Sequence, residues 1–204
     1  MRCKTLTILS SLCLLTALGP GGATSSAEAK DKPASASTAT AQAAQGEYTL
    51  TLPFGLDESA KVVPADNPLA KDKIELGRLL FVDKRLSKNN TIACASCHLP
   101  QFAFTDGKRV STGINGLKGG RSAPASFNRL FSAAQFWDGR ADTLEAQSVG
   151  PFVSPVEHGF ANHDEMIAKM KKIAGYRKLF KEVFGTDIRI DKVGMAIASF
   201  QRTV

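Results

Sequence analysis

The chain has 204 residues, enough for one ordinary domain and part of another, and its 43% hydrophobic content excludes both a disordered polymer and a membrane-embedded bundle. The formal net charge is +7, but no Lys/Arg run is interleaved with aromatics, so the charge makes no case for nucleic acid. Of the four cysteines, Cys3 and Cys13 fall within residues 1–29, leaving Cys94 and Cys97 for the remainder of the chain.

In chain order, Arg2 and Lys4 precede the apolar run "LTILSSLCLLTAL", and small residues follow to Ala27-Glu28-Ala29. This is the pattern of a secretory signal peptide over 1–29, and the apolar run is too short to span a bilayer. An uncleaved anchor is the alternative, disfavoured by that same length. Export places the mature chain in the periplasm; cleavage removes two cations and one anion and leaves it basic, at +6. Residues 30–46, "KDKPASASTATAQAAQG", are small and polar and read as a flexible tether. The stretch 48–56, "YTLTLPFGL", predicts a short extended strip.

Over 67–81 a helix is expected, with Pro68 in its first turn and Leu69, Ile74, Leu76, Leu80 and Phe81 as its apolar pattern. Gly77 costs about 1 kcal/mol inside a helix, which predicts a close packing contact there. Residues 105–126 are rich in Gly, Ser and Thr and read as a long loop. Helical signals return with Asn162 and Glu165 as a capping pattern ahead of Met166, Ile167, Met170 and Ile173. Tyr176, Leu179, Phe180, Val183 and Phe184 form a second stripe, and Asp191 is expected to cap a third helix carrying Val193, Ala196, Ile197 and Phe200. Without alternating strands or an internal repeat, the fold class is all-α with long connecting loops.

The chemistry is concentrated in Cys94-Ala-Ser-Cys97-His98. A zinc site needs about four ligands, and His158 and His163 are the only other histidines, so a Cys2His2 set is one reading. A thioredoxin-like redox pair would need a βαβ context that is not visible. Covalent haem c is the favoured reading: each thiol adds to one vinyl group, and His98 becomes the proximal iron ligand. Met166 and Met170 stand where a small electron-carrying cytochrome could place a sixth ligand, although their helical spacing suits core packing.

Three longer stretches are more specific than this motif: "KIELGRLLFVDKRLSKNNTIACASCHLPQFAFTDGK", "APASFNRLFSAAQFWDGRADTLEAQSVGPFVSPVEHGF" and "IASFQRTV". Together they resemble the bacterial di-haem cytochrome c peroxidases and their methylamine-utilisation relatives, over about residues 48–204. The resemblance implies a cytochrome c-like peroxidatic haem domain over 47–190 and a helix over 191–204 leading to a second haem domain beyond Val204. It implies Cys94, Cys97 and His98 as haem-binding residues, with His98 on the metal. Trp137 would mediate between the two haems, and Gln147, Pro151 and Glu157 would line the distal pocket. It further implies hydrogen peroxide as substrate and a small donor protein of cytochrome c or cupredoxin type, and it leaves a homodimer open. A haem-dependent oxidase of a protein substrate and a mono-haem electron carrier are the alternative functions.

Peroxide heterolysis moves a proton from one oxygen to the other. A distal carboxylate such as Glu157 can carry it, the more so if burial raises its pKa. Gln147 can donate a hydrogen bond but shuttles protons poorly. His158, beside Glu157, is the rival carrier. Two positions depart from the family pattern. Ile114 stands where its peroxidases generally carry a distal His, and Ser122 where many have an Asn that binds an interdomain Ca²⁺, so calcium stays open.

Overall fold

The computed structural model describes residues 46–204. The signal peptide expected over 1–29 and the tether expected over 30–46, its last residue aside, lie outside them. Among the described residues five α-helices follow one another: α1 (Lys71–Val82), α2 (Leu144–Val149), α3 (His163–Met170), α4 (Tyr176–Phe184) and α5 (Ile190–Gln201). Among the described residues there is no strand, only isolated bridges, in keeping with the all-α expectation. No described helix is long and apolar enough to cross a membrane.

The apolar spacing explains which faces turn inward. In α1 the buried residues are Lys73, Leu76, Gly77, Leu80 and Phe81, three and four apart along one stripe. In α4 they are Tyr176, Phe180 and Val183. Met166 and Met170 of α3 are wholly buried in the same core, with Phe152, Val193 and Ile197. Asn162 starts α3 by accepting the Glu165 amide at 2.8 Å, while Glu165 reaches back to the Ala161 amide at 2.7 Å.

Three local expectations fail. Pro68 is not in a helical turn, because α1 begins only at Lys71. The buried Asn67 gives its amide to Glu145 Oε1 at 2.6 Å and Met195 O at 3.1 Å, which holds the preceding chain out of the helix. The 48–56 strip forms no strand; it turns at Pro53, and only Glu47 bridges to Ala70. Asp191 does not cap α5, which starts one residue earlier; it sits in the first turn and accepts from Arg189 Nε at 3.0 Å.

Gly77 marks the crossing of α1 and α5. A Cβ there would lie 1.9 Å from the Ala196 carbonyl oxygen and 2.6 Å from its carbon, so the helices approach as closely as a glycine allows. Gly77→Ala is therefore expected to destabilise the protein by about 3 kcal/mol or more, against the gain of about 1 kcal/mol that alanine normally brings to a helix. Denaturant unfolding checks this; an unchanged midpoint would mean the crossing relaxes freely.

Lys73 is only 2% exposed, an unusual position for a lysine. Burial, with help from Lys192 and Arg202, lowers its pKa from 10.5 to about 8, against a smaller opposing pull from Glu145 and Asp66. Between those two values the unfolded chain holds a proton that the folded chain lacks, so this group's contribution to stability rises with pH across that window. Lys73→Met is expected to raise the melting temperature at neutral pH, with the gain shrinking towards pH 10. A gain constant across that range would refute the assignment.

The long loop between α1 and α2 is closed on itself. Ser111 N donates to Arg121 O at 3.2 Å, Gly119 N to Ser111 O at 2.9 Å and Gly113 N to Leu117 O at 2.8 Å. It is pinned to the segment after α2: Ile114 N donates to Val156 O at 3.1 Å, and a Cβ on Gly113 would sit 1.7 Å from that same oxygen. Only a glycine lets the loop lie so close to the residues that carry Glu157.

Candidate functional site

Cys94 and Cys97 belong to one tight turn. Cys97 N donates to Cys94 O at 3.1 Å and His98 N to the same oxygen at 3.0 Å, while Ser96 Oγ accepts from Ala93 N at 3.0 Å. The turn puts the thiols three residues apart on one side, with the imidazole directly after them. His98 Nδ1 lies 2.9 Å from Phe104 O and 3.0 Å from Ser126 Oγ. The carbonyl accepts only, so Nδ1 carries the proton and Nε2 is left with its lone pair, the tautomer a metal-binding histidine needs. The thiols form no disulfide. Burial pushes the Cys94 thiol up to about 12 and the Cys97 thiol upward as well, so both are protonated at neutral pH and poorly suited to thiol exchange.

These residues open onto a cavity of about 440 Å³ whose wall also includes Trp137, Gln147, Pro151, Glu157 and His158. Every residue expected from the sequence to act at the site therefore faces one space, within the roughly 300–1,000 Å³ usual for cofactor pockets. Thr143 caps α2 by accepting the Ala146 amide at 3.1 Å, and the short helix delivers Gln147; the turn Gly150–Val153 follows with Pro151. By area Glu157 is exposed, but it lines the cavity, and the protein packed around it desolvates the carboxylate and raises its pKa. A hydrogen bond from Ser154 and the charge of Arg140 oppose that rise. Trp137 is 62% exposed, which rules out an ordinary core role, and its indole Nε1 donates to Ser122 O at 2.9 Å.

A family model for the di-haem cytochrome c peroxidases matches residues 71–204. The chain belongs to that family. It is 38% identical over 154 residues to cytochrome c peroxidase Ccp of Escherichia coli, covering 76% of this chain and 33% of that protein. It is 39% identical over 142 residues to methylamine utilization protein MauG of Methylophilus methylotrophus, covering 69% of this chain and 42% of that one. The crystal structure of a MauG-like protein associated with microbial copper homeostasis superposes with a TM-score of 0.69 at 38% identity, over 77% of this chain and 47% of the other. The chain thus spans less than half the length of these relatives, and its helical fold is cytochrome c-like.

The family implies haem c, and the residues present fit it: two protonated thiols at vinyl spacing, a histidine with Nε2 available, and a cavity beside them. A zinc site is not supported, because among the described residues no three His, Cys, Asp or Glu side chains lie close enough together to hold a metal ion. His163 Nε2 instead sits 3.0 Å from Val149 O, and His158 Nδ1 sits 2.8 Å from Leu86 O. Met166, Met170 and His163 do not line the cavity; of the alternative ligands only His158 does. Ile114 does not line it either, being 3% exposed and packed against Gly159.

Some wall residues escaped sequence reasoning. Ser148 and Gln201 are buried polar side chains on the cavity, 3.2 Å apart, and Ser126 helps to fix His98. Gln201 ends the apolar stripe of α5, and a polar residue closing such a stripe was the available signal. Arg121 and Arg140 also reach the wall, from a loop and a turn whose closure cannot be read from spacing.

Proposed function

We propose that this chain carries the peroxide-reducing haem of a periplasmic haem c peroxidase, with electrons relayed from a second haem c and a small donor protein of cytochrome c or cupredoxin type. The reaction consumes hydrogen peroxide, two electrons and two protons and yields two waters. When bound, the haem supplies the metal centre that binds peroxide and exchanges electrons. Cys94 and Cys97 would hold it by thioethers and His98 would ligate it. Glu157 accepts a proton from one peroxide oxygen and returns it to the leaving one. Gln147 orients the oxygens by hydrogen bonding, and Pro151 shapes the wall between them. Trp137, exposed at the cavity rim, suits the relay from the second haem.

One observation carries this reading: the carboxylate of Glu157, with its pKa raised by burial, shares a cavity with the haem-binding turn. Turnover of peroxide by the holoprotein with a reduced small cytochrome tests it; a holoprotein that leaves peroxide untouched would end it. Oxidation of a protein substrate is the second reading, favoured by the 39% identity to a protein named MauG. It predicts peroxide-dependent modification of a partner protein while the reduced cytochrome is spared.

Ile114 bears on how the site is opened. An isoleucine cannot ligate iron, and this one is anchored to the Glu157 segment through Val156 O. With His158, the one alternative ligand on the cavity wall, held by its Nδ1 contact to Leu86 O and kept off the iron, the haem is expected to be high-spin in the ferric, as-purified protein and to react with peroxide without prior reduction, and His158→Ala should leave the spectrum unchanged. Ferric EPR and visible spectra check this; an all-low-spin spectrum that needs reductive activation would contradict it.

A further inference from the structure

A haem held by thioethers at its vinyl edge still carries two propionates at the opposite edge, and carboxylates at a protein wall call for cations. Among the described residues, Arg121 and Arg140 are the only lysine or arginine side chains lining the cavity. Both are held by one residue: Asp138 Oδ2 accepts from Arg121 Nη1 and Asp138 Oδ1 from Arg140 Nη1, each at 2.8 Å. Arg140 also lies over the Phe136 ring, with Cζ 3.5 Å from its centroid. The bond from Trp137 Nε1 to Ser122 O, at 2.9 Å, ties the same two segments a second time. The pair of guanidiniums is thus set by two parallel ties between the glycine-rich loop and the turn that follows Phe136.

A guanidinium has five N–H donors, and Asp138 takes one nitrogen of each. The arginine side chains remain 56% and 54% exposed, so their other donors are accessible at the cavity rim. As isolated surface ion pairs these contacts would stabilise little. Two arginines sharing one aspartate also leave an excess positive charge, the opposite of a self-neutralised surface pair.

We propose that Arg121 and Arg140 form the propionate clamp of this haem site, with Asp138 as the residue that positions them and moderates their charge. This rests on the haem reading of the cavity. The clamp screens the propionate charge near the iron, so it sets the haem's reduction potential as well as its seat.

The test uses the holoprotein, with covalent haem first verified by its pyridine haemochrome. Arg121→Gln and Arg140→Gln each uncover a propionate, favouring the ferric form. The pair together is expected to change the ferric/ferrous ratio at fixed poise by about tenfold, about 59 mV downward for one electron. Asp138→Asn frees both guanidiniums and is expected to shift the potential upward. Resonance Raman propionate bending modes should move in all three variants. Arg78→Gln, which removes an exposed pair with Glu75 away from the cavity, should change neither. Unmoved potentials with covalent haem in place, or shifts of one sign with unchanged propionate modes, would overturn the clamp alone. Absence of covalent haem would overturn the functional reading and the clamp together.

Discussion

Glu157→Gln is expected to slow peroxide turnover by about 10²–10⁴-fold while leaving haem content unchanged, since general acid–base assistance is typically of that size. The amide keeps the shape and hydrogen bonding of the carboxylate but cannot take up and return a proton. The carboxylate suits the task because burial raises its pKa, bringing uptake and release closer to neutral pH. Because Glu157 must be deprotonated to accept that proton, activity should fall as pH drops through its pKa; this acid limb should lie above the ordinary glutamate range in the parent and disappear in the variant. His158 provides the comparison. Burial lowers its pKa, with the Leu86 carbonyl opposing, and it is only 3% exposed; at neutral pH it is uncharged and tied to Leu86. His158→Ala should cost some stability through the lost hydrogen bond, but less than tenfold in turnover per haem. A larger drop for His158→Ala than for Glu157→Gln would reverse the assignment.

Cys97→Ala should leave at most one thioether and sharply reduce the yield of holoprotein. The turn at Cys94–His98 is closed by backbone hydrogen bonds and needs neither thiol to form, so the variant should still fold around the cavity. The pyridine haemochrome should shift towards that of a haem with one unsaturated vinyl group. Cys94→Ala should behave alike. An unaltered haemochrome in either variant would mean that the thiol is not an attachment point.

Much of this was legible in the sequence, for identifiable reasons. Helices α1, α3 and α4 follow from apolar residues three and four apart, and Gly77 reads as a contact point because a mid-helix glycine needs a compensating reason. The Cys94–His98 turn is local, so Cys94, Cys97 and His98 could be named as the candidate haem attachment without knowing the fold. The boundaries failed where distant groups intervened: the amide of Asn67 is claimed by α2 and α5, so the helix starts after Pro68 and not at it. Arg121 and Arg140 were missed for a similar reason. Their positions depend on Asp138 and on the closure of a glycine-rich loop, interactions between segments that carry no periodic signal. Gln147 and Glu157 could be named only through the family resemblance; it is their shared cavity with His98 that gives them a physical basis.

Covalent attachment of haem at Cys94 and Cys97 is tested by proteolytic peptide mapping by mass spectrometry of the periplasmically matured protein after acid–acetone extraction. The haem is expected to stay on the protein and travel with the peptide containing Cys94, Cys97 and His98, with both thiols inaccessible to alkylation. Complete release of haem into the acetone, or two alkylated thiols on that peptide, would contradict it.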